Sequence, residues 1–92
     1  MEASHFVYIV ECADGTLYTG WTLDVERRIA QHNSGRGARY TRTRRPVALV
    51  YLEGLGNRAD AMRREAQIKR LNRASKARLI HSQRNGLLHE GR

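Results

Sequence analysis

Five polar side chains stand where the surrounding pattern favours apolar ones. Tyr8 lies inside the run HFVYIVEC (His5 to Cys12), and Tyr18 leads Tyr18-Thr19-Gly20 at the end of a second short run. Arg28 and His32, four residues apart, share one edge of an amphipathic stretch. Glu65 sits on the stripe Ala61, Glu65, Ile68, Asn72, spaced i, i+4, i+7, i+11. A carboxylate inside such a stripe is either ion-paired or liganding a cation, because an unpaired buried charge is expensive. Taken singly, each residue also has a plain structural use. Tyr8 suits an aromatic core, Arg28 a surface cation, and His32 a hydrogen-bonded structural site. Glu65 can pair with Lys69 one turn on.

Other chemistries lack their motifs. His5, His32, His81 and His89 form no HExxH and no paired spacing with Cys12 or a carboxylate cluster. GxxxxGKS/T, GxGxxG and GxSxG are absent. A lone cysteine excludes an internal disulfide, and no run reaches the ~18 apolar residues of a membrane span. The expectation is a cytoplasmic protein with an anionic partner.

Charge gives that partner a location. The 92 residues carry 17 Lys+Arg and 9 Asp+Glu, a net of +8. Residues 1–35 hold two basic and five acidic residues, whereas 36–92 hold 15 basic and four acidic. Such asymmetry indicates one binding face. The run Gly35 to Arg45 (GRGARYTRTRR) has five arginines, Tyr40 and no acid, which suits arginines on phosphates and Tyr40 on a base or sugar. Its candidate contacts are Arg36, Arg39, Tyr40, Arg42, Arg44 and Arg45, with Arg58, Arg63, Arg70 and Arg73 as an extension. A solvated basic loop is the plainer alternative. Trp21 could stack on a base, although packing at the strand end suits it better.

The elements that must hold these residues follow from pattern. His5–Cys12 and Leu17–Trp21 form a β-hairpin around Ala13-Asp14-Gly15. Its register is open. A two-residue loop at Asp14-Gly15 places Tyr8 and Tyr18 on opposite faces. A three-residue loop with Gly15 as a left-handed bulge places them on the same face. Thr22-Leu-Asp opens a helix with Val25 and Ile29 on its buried stripe, and Gly35 closes it. A basic loop fills 34–46, and Val47–Glu53 is the third strand. Asn57 caps a second helix to about Leu71, Ser75 a third to about Arg84, and residues 85–92 should be loosely held. The order ββαβαα predicts one α+β domain over 1–92, with its core at about 5–80: a small, mainly antiparallel three-stranded sheet flanked by helices.

The hairpin FVYIVECADGTLYTG resembles the signature of the GIY-YIG nuclease superfamily. Val7-Tyr8 stands at the end of GIY and Tyr18-Thr19-Gly20 at YIG. The steps Tyr8 to Tyr18 and Tyr18 to Arg28 match the family's pattern, as do Arg28 followed by His32 and the later Glu65. The resemblance covers about residues 5–80 and is nearest to small stand-alone members sharing ADGTLYTG, GARYT and RREAQIKRL. Phe6 replaces the GIY glycine and Thr19 the YIG isoleucine. The family's later asparagine has only Asn72 as a counterpart, at shorter spacing.

The resemblance implies metal-dependent phosphodiester hydrolysis giving 5′-phosphate and 3′-hydroxyl ends, in structure-selective cutting of DNA during repair or recombination. Tyr18 would activate water, Arg28 bind the scissile phosphate, Glu65 hold one Mg²⁺ or Mn²⁺, Tyr8 orient water or phosphate, and His32 hydrogen-bond in the same pocket. The partner is nucleic acid, with DNA favoured over RNA. The alternative is a nucleic-acid-binding module with little or partner-dependent cleavage. Both tyrosines must then face one site, which selects the three-residue loop with Gly15 in the bulge and Gly20 closing the motif.

Overall fold

The structure, a computed structural model, describes residues 2–90, with side chains through Arg84. The elements in chain order are β1 (His5–Glu11), β2 (Leu17–Thr22), α1 (Val25–Ser34), α2 (Arg39–Arg42), β3 (Ala48–Leu55), α3 (Arg58–Lys69) and α4 (Arg73–Glu90). They form an α+β fold in the order ββααβαα. The three strands make one antiparallel sheet in the order β2-β1-β3.

Central β1 explains its own composition. Val7, Tyr8, Ile9 and Val10 are all buried, because helices cover both faces of the sheet. Val7 and Ile9 pack with Tyr51, Ala61, Ile68 and Ile80 on the α3/α4 side. Tyr8 and Val10 face the other way, with Cys12 and Val47, and Ile29 of α1 packs against them. A strand with no solvent face shows no polar alternation.

The hairpin adopts the three-residue loop. Val10 pairs with Tyr18 and Tyr8 with Gly20, so both tyrosines share one face. The Gly15 N–H donates to the Cys12 carbonyl at 2.9 Å, and Gly15 takes φ +84°, the left-handed bulge position. Asp14 braces the turn by accepting from the Thr16 N–H and hydroxyl.

Several boundaries differ from the pattern-based reading. The basic loop contains α2, one short helix that the absence of an apolar stripe concealed. Asp24 caps α1, accepting from the Arg27 N–H, and Gly35 at φ +87° ends it. The deepest residue of α1 is His32, not Val25 or Ile29, since its ring is sealed by the loop that follows. Asn72, not Ser75, caps α4: its Oδ1 accepts from the Ser75 N–H at 2.8 Å and its carbonyl from the Lys76 N–H. Asn72 therefore lies beyond α3 and off the stripe of Ala61 and Ile68. The backbone of α4 is helical to Glu90, past the expected end at Arg84, and Gly86 does not interrupt it. The expected looseness over 85–92 concerns side chains, and two terminal residues, that lie outside the described residues.

The free edge of β3 is covered by a side chain. The Gln83 amide of α4 donates to the Leu52 carbonyl at 2.5 Å and accepts from the Leu52 N–H at 3.1 Å. This imitates a strand partner and blocks edge-to-edge pairing there.

The bulge makes a controlled prediction. A Cβ added at Gly15 or at Gly56 meets nothing within 4 Å, but only Gly15 has a left-handed φ. Gly15→Ala should lower unfolding free energy by about 1–2 kcal/mol, and Gly56→Ala should leave it nearly unchanged. Urea denaturation of both variants checks this; equal effects would remove the bulge as the determinant of register.

Candidate active site

On the sheet face covered by α1, β1 and β2 bring Tyr8 and Tyr18 side by side, and α1 lowers Arg28 and His32 onto them. The Tyr8 hydroxyl lies 2.8 Å from His32 Nε2, and Arg28 Nε donates to the Tyr8 oxygen at 3.4 Å. His32 Nδ1 lies 2.8 Å from Thr41 Oγ1, and the Thr41 hydroxyl donates to the Ala38 carbonyl at 2.9 Å.

One placement of protons satisfies this chain. A carbonyl can only accept, so the single Thr41 proton points to Ala38. Thr41 Oγ1 then accepts from His32 Nδ1–H, which leaves Nε2 of the neutral ring to accept from Tyr8 O–H. Tyr8, with its proton committed, accepts from Arg28. The titration tendencies agree with that order. Burial, with the Arg28 charge beside it, holds His32 below the usual imidazole value. Burial raises the Tyr8 phenol above its ordinary value, although Arg28 works the other way.

Glycines make room for these rings. A Cβ at Gly20 would stand 2.6 Å from the Tyr8 oxygen, so the last residue of the second motif must be glycine for Tyr8 to cross β2. A Cβ at Gly37 would overlap His32 Nδ1 and Cα, so the loop can close over the imidazole only through a glycine.

Tyr18 packs against the cluster of Tyr8, Val10, Cys12 and Val47 and is flanked by two aromatic rings. Its ring stacks with Tyr40 at 5.9 Å and 20°, and meets the His32 ring edge-on at 5.5 Å. Its hydroxyl makes no hydrogen bond among the described residues. α3 packs against both β1 and the edge strand β2, and from there Lys69 Nζ lies 6.0 Å from the Tyr18 ring. Lys69 also pairs with Glu65 at 3.6 Å, as the i,i+4 spacing anticipated. The Glu65 charge is near enough to help raise the Tyr8 phenol.

The donors suit one hard divalent cation. Among the described residues no three His, Cys, Asp or Glu side chains converge, so a preformed multi-carboxylate cage is excluded there. Glu65 is partly buried, and its one loose ion pair can be exchanged. A single carboxylate of this kind would hold Mg²⁺ or Mn²⁺ that keeps most of its waters and takes a substrate oxygen.

The basic segment divides into two sets. Arg44 donates to Asp14 at 3.0 Å and to the Tyr40 carbonyl at 2.8 Å, with its guanidinium 3.9 Å above the Tyr40 ring. Arg45 donates to the carbonyls of Arg42 and Asn33. These two arginines fasten α2 to the hairpin and to α1. Arg36, Arg39 and Arg42 are exposed and make no side-chain hydrogen bond among the described residues. Trp21 packs beside the α3/α4 core, 5.8 Å from the His5 ring, with Arg58 over it.

Some members of the site carried no motif. Thr41 is fully buried behind His32, yet in sequence it is one polar residue of a basic loop. Gln31, which accepts from Arg28 Nη1 at 3.0 Å, looks like a surface residue. The available signal was Gly37, a glycine without an evident turn to make. Asn72, spent on capping α4, is not part of the cluster.

Comparison with known proteins matches residues 4–78 to the GIY-YIG catalytic domain. A UPF0213 protein of Staphylococcus haemolyticus is 56% identical over 78 residues, covering 85% of this chain and 95% of that one. A UPF0213 protein of Natronomonas pharaonis is 55% identical over 80 residues, covering 87% and 94%. The solution NMR structure of a UPF0213 protein from Bacillus halodurans superposes with TM-score 0.55 at 49% identity, over 84% of this chain and 82% of that one. A protein from E. faecalis, also solved by NMR, gives TM-score 0.60 at 42% identity, over 89% and 90%. With the two motif tyrosines on one face, the helix arginine and histidine above them, and the carboxylate arriving from α3, the chain belongs to the GIY-YIG family.

Proposed function

We propose that the protein is a metal-dependent endonuclease that hydrolyses phosphodiester bonds in structured or single-stranded DNA. The observation that carries this reading is the contact of Tyr8 with His32 and Arg28 beside Tyr18, with Glu65 linked to them through Lys69. Nucleic-acid binding alone has no use for a carboxylate and a neutral phenol–imidazole pair beside an arginine.

The residues divide the work by their hydrogen-bonding state. Tyr18 is partly exposed and its hydroxyl has no hydrogen-bond partner among the described residues, which suits contact with the attacking water. Tyr8 donates to His32 and accepts from Arg28, so it acts as a fixed post that aims the guanidinium. Arg28 Nε and Nη1 are held by Tyr8 and Gln31, which leaves Nη2 for a non-bridging phosphate oxygen. Glu65 would hold Mg²⁺ or Mn²⁺, which when bound supplies Lewis-acid stabilisation of the departing oxygen. Arg36, Arg39 and Arg42 would track the phosphates to either side, without reading sequence. The products would carry 5′-phosphate and 3′-hydroxyl ends.

The test is cleavage of end-labelled flap, fork, single-stranded and duplex DNAs, and matching RNAs, with Mg²⁺ or Mn²⁺. Arg28→Ala and Glu65→Gln should each lower the rate about 10²–10³-fold. Cleavage that persists in both would locate the chemistry elsewhere. Binding of every substrate without cleavage would move the protein to a nucleic-acid-binding or partner-dependent role. A triple Ala replacement of Arg36, Arg39 and Arg42 should weaken binding similarly across sequences and reduce the salt slope by up to about 3 for duplex DNA.

The buried neutral imidazole also makes stability depend on pH. Its folded value lies below the free value near 6.5, so below that pH the unfolded chain binds the extra proton. Stability is complete above about pH 6.5 and falls as pH drops from there toward the depressed folded value. The urea midpoint should therefore decline between about pH 7.5 and pH 5.5. In His32→Gln that decline should flatten, whatever the change in overall stability; an unchanged slope would show His32 to be exposed and titrating freely.

A further inference from the structure

We infer that Thr41 is a positioning residue, which fixes His32 as the Nδ1–H tautomer and so decides how the Tyr8 phenol points. The inference deepens the nuclease reading and rests on it only for its catalytic consequence. The tautomer itself is a property of the folded chain.

Three observations meet at Thr41. Its side chain is completely buried, and so is the His32 ring it contacts. Its hydroxyl is the sole polar group within 2.8 Å of His32 Nδ1 that the described contacts supply. Its proton is claimed by the Ala38 carbonyl at 2.9 Å, inside the first turn of α2. An isolated hydroxyl can donate or accept, and would tolerate either imidazole tautomer. A hydroxyl already donating to a carbonyl can only accept, so the nitrogen facing it must carry the proton. In a neutral ring the other nitrogen is then bare, and the Tyr8 hydroxyl must donate to it.

The reverse tautomer has a definite cost. His32 Nε2–H would face the Tyr8 oxygen, which already accepts from Arg28, and Nδ1 would face the Thr41 oxygen with no proton between them. One buried acceptor would go unpaired, and the phenol proton would have to turn toward the site. Removing the Ala38 constraint would permit this arrangement; in the folded chain it is closed off.

Gly37 completes the enclosure. A Cβ at residue 37 would overlap Nδ1 and Cα of His32, so the loop backbone lies directly against the imidazole. The segment from Gly37 to Thr41 thus serves as a backing plate for His32, while α2 exposes Arg39 and Arg42 on its outer side. A phosphate backbone bound by those arginines would press on the element that sets the tautomer. Thr41 touches no substrate in this arrangement and acts through His32 and Tyr8.

The experiment pairs Thr41→Val, which keeps the shape and removes the hydroxyl, with Thr41→Ser, which keeps the hydroxyl. Long-range ¹⁵N–¹H correlation spectra of the full-length protein report which ring nitrogen of His32 is protonated. Wild type and Thr41→Ser should show the Nδ1–H form, and Thr41→Val should shift to Nε2–H or to a mixture. An Nε2–H ring in wild type overturns the inference without recourse to any variant, as does an unaltered Nδ1–H ring in Thr41→Val. On a flap DNA with Mn²⁺, Thr41→Val should lower kcat about 10–100-fold with little change in KM, and Thr41→Ser should restore most of it. A KM effect shared by both variants would mean that α2 serves binding only. If wild type cuts no substrate, the nuclease reading fails, and the ring spectra still decide the role of Thr41.

Discussion

The structure depends on one buried imidazole. His32 is hydrogen-bonded at both nitrogens, to β1 through Tyr8 and to α2 through Thr41. A ring of this kind is costly to bury unless both nitrogens find partners. Once they do, it ties three elements together at defined angles. The covering loop must then contain Gly37, β2 must offer Gly20 beneath the phenol, and Arg28, one turn earlier on α1, must arrive at the Tyr8 oxygen. The spacing of four between Arg28 and His32 is thus a geometric requirement of the fold itself.

The hairpin turn supplies the other constraint. Side chains on a strand alternate, so one residue more or less in the loop would carry Tyr18 through the sheet into the space of Val7 and Ile9. Gly15 prevents this by taking a left-handed φ in a three-residue loop. Asp14 in the same turn receives Arg44, which in turn covers Tyr40, the residue stacked on Tyr18. The acidic N-terminal portion and the basic segment are therefore joined at the turn that sets the register. Part of the charge asymmetry thus serves the assembly of the fold.

Much of this was legible in the sequence, and the reasons are physical. Strands and helices that bury one side leave periodic traces, so β1, β2, β3, α1 and α3 were visible with their caps. The spacing of the two tyrosines and Arg28 was visible because each sits at a motif position. The register was not decided by local residues, since Asp14-Gly15 suits two loop lengths; only the demand that Tyr8 and Tyr18 share a site separated them. Short α2 and the role of Thr41 were hidden for a different reason. A four-residue helix has no period to detect, and a threonine becomes informative only when the ring it supports is in place. Asn72 misled through the opposite effect: extending the α3 stripe by one turn reached a residue that the chain uses to begin α4.

The arginines show how one composition serves several ends. A net +8 in a small chain invites the view that all of it faces the phosphate backbone. The contacts divide it. Arg44 and Arg45 satisfy carbonyls and Asp14 and are fixed within the fold. Arg28 is half-buried and aimed by Tyr8 and Gln31. Arg36, Arg39 and Arg42 point outward from the same short segment whose inner side holds Thr41 against His32. Long, planar guanidinium groups can do all three because their donors bind carbonyls, carboxylates and phosphates through the same fork. The outer set would govern salt-dependent affinity, and the inner one the reaction. Arg39 and Arg42 share α2 with Thr41, so the element that would carry the outer phosphate contacts is also the one that backs His32.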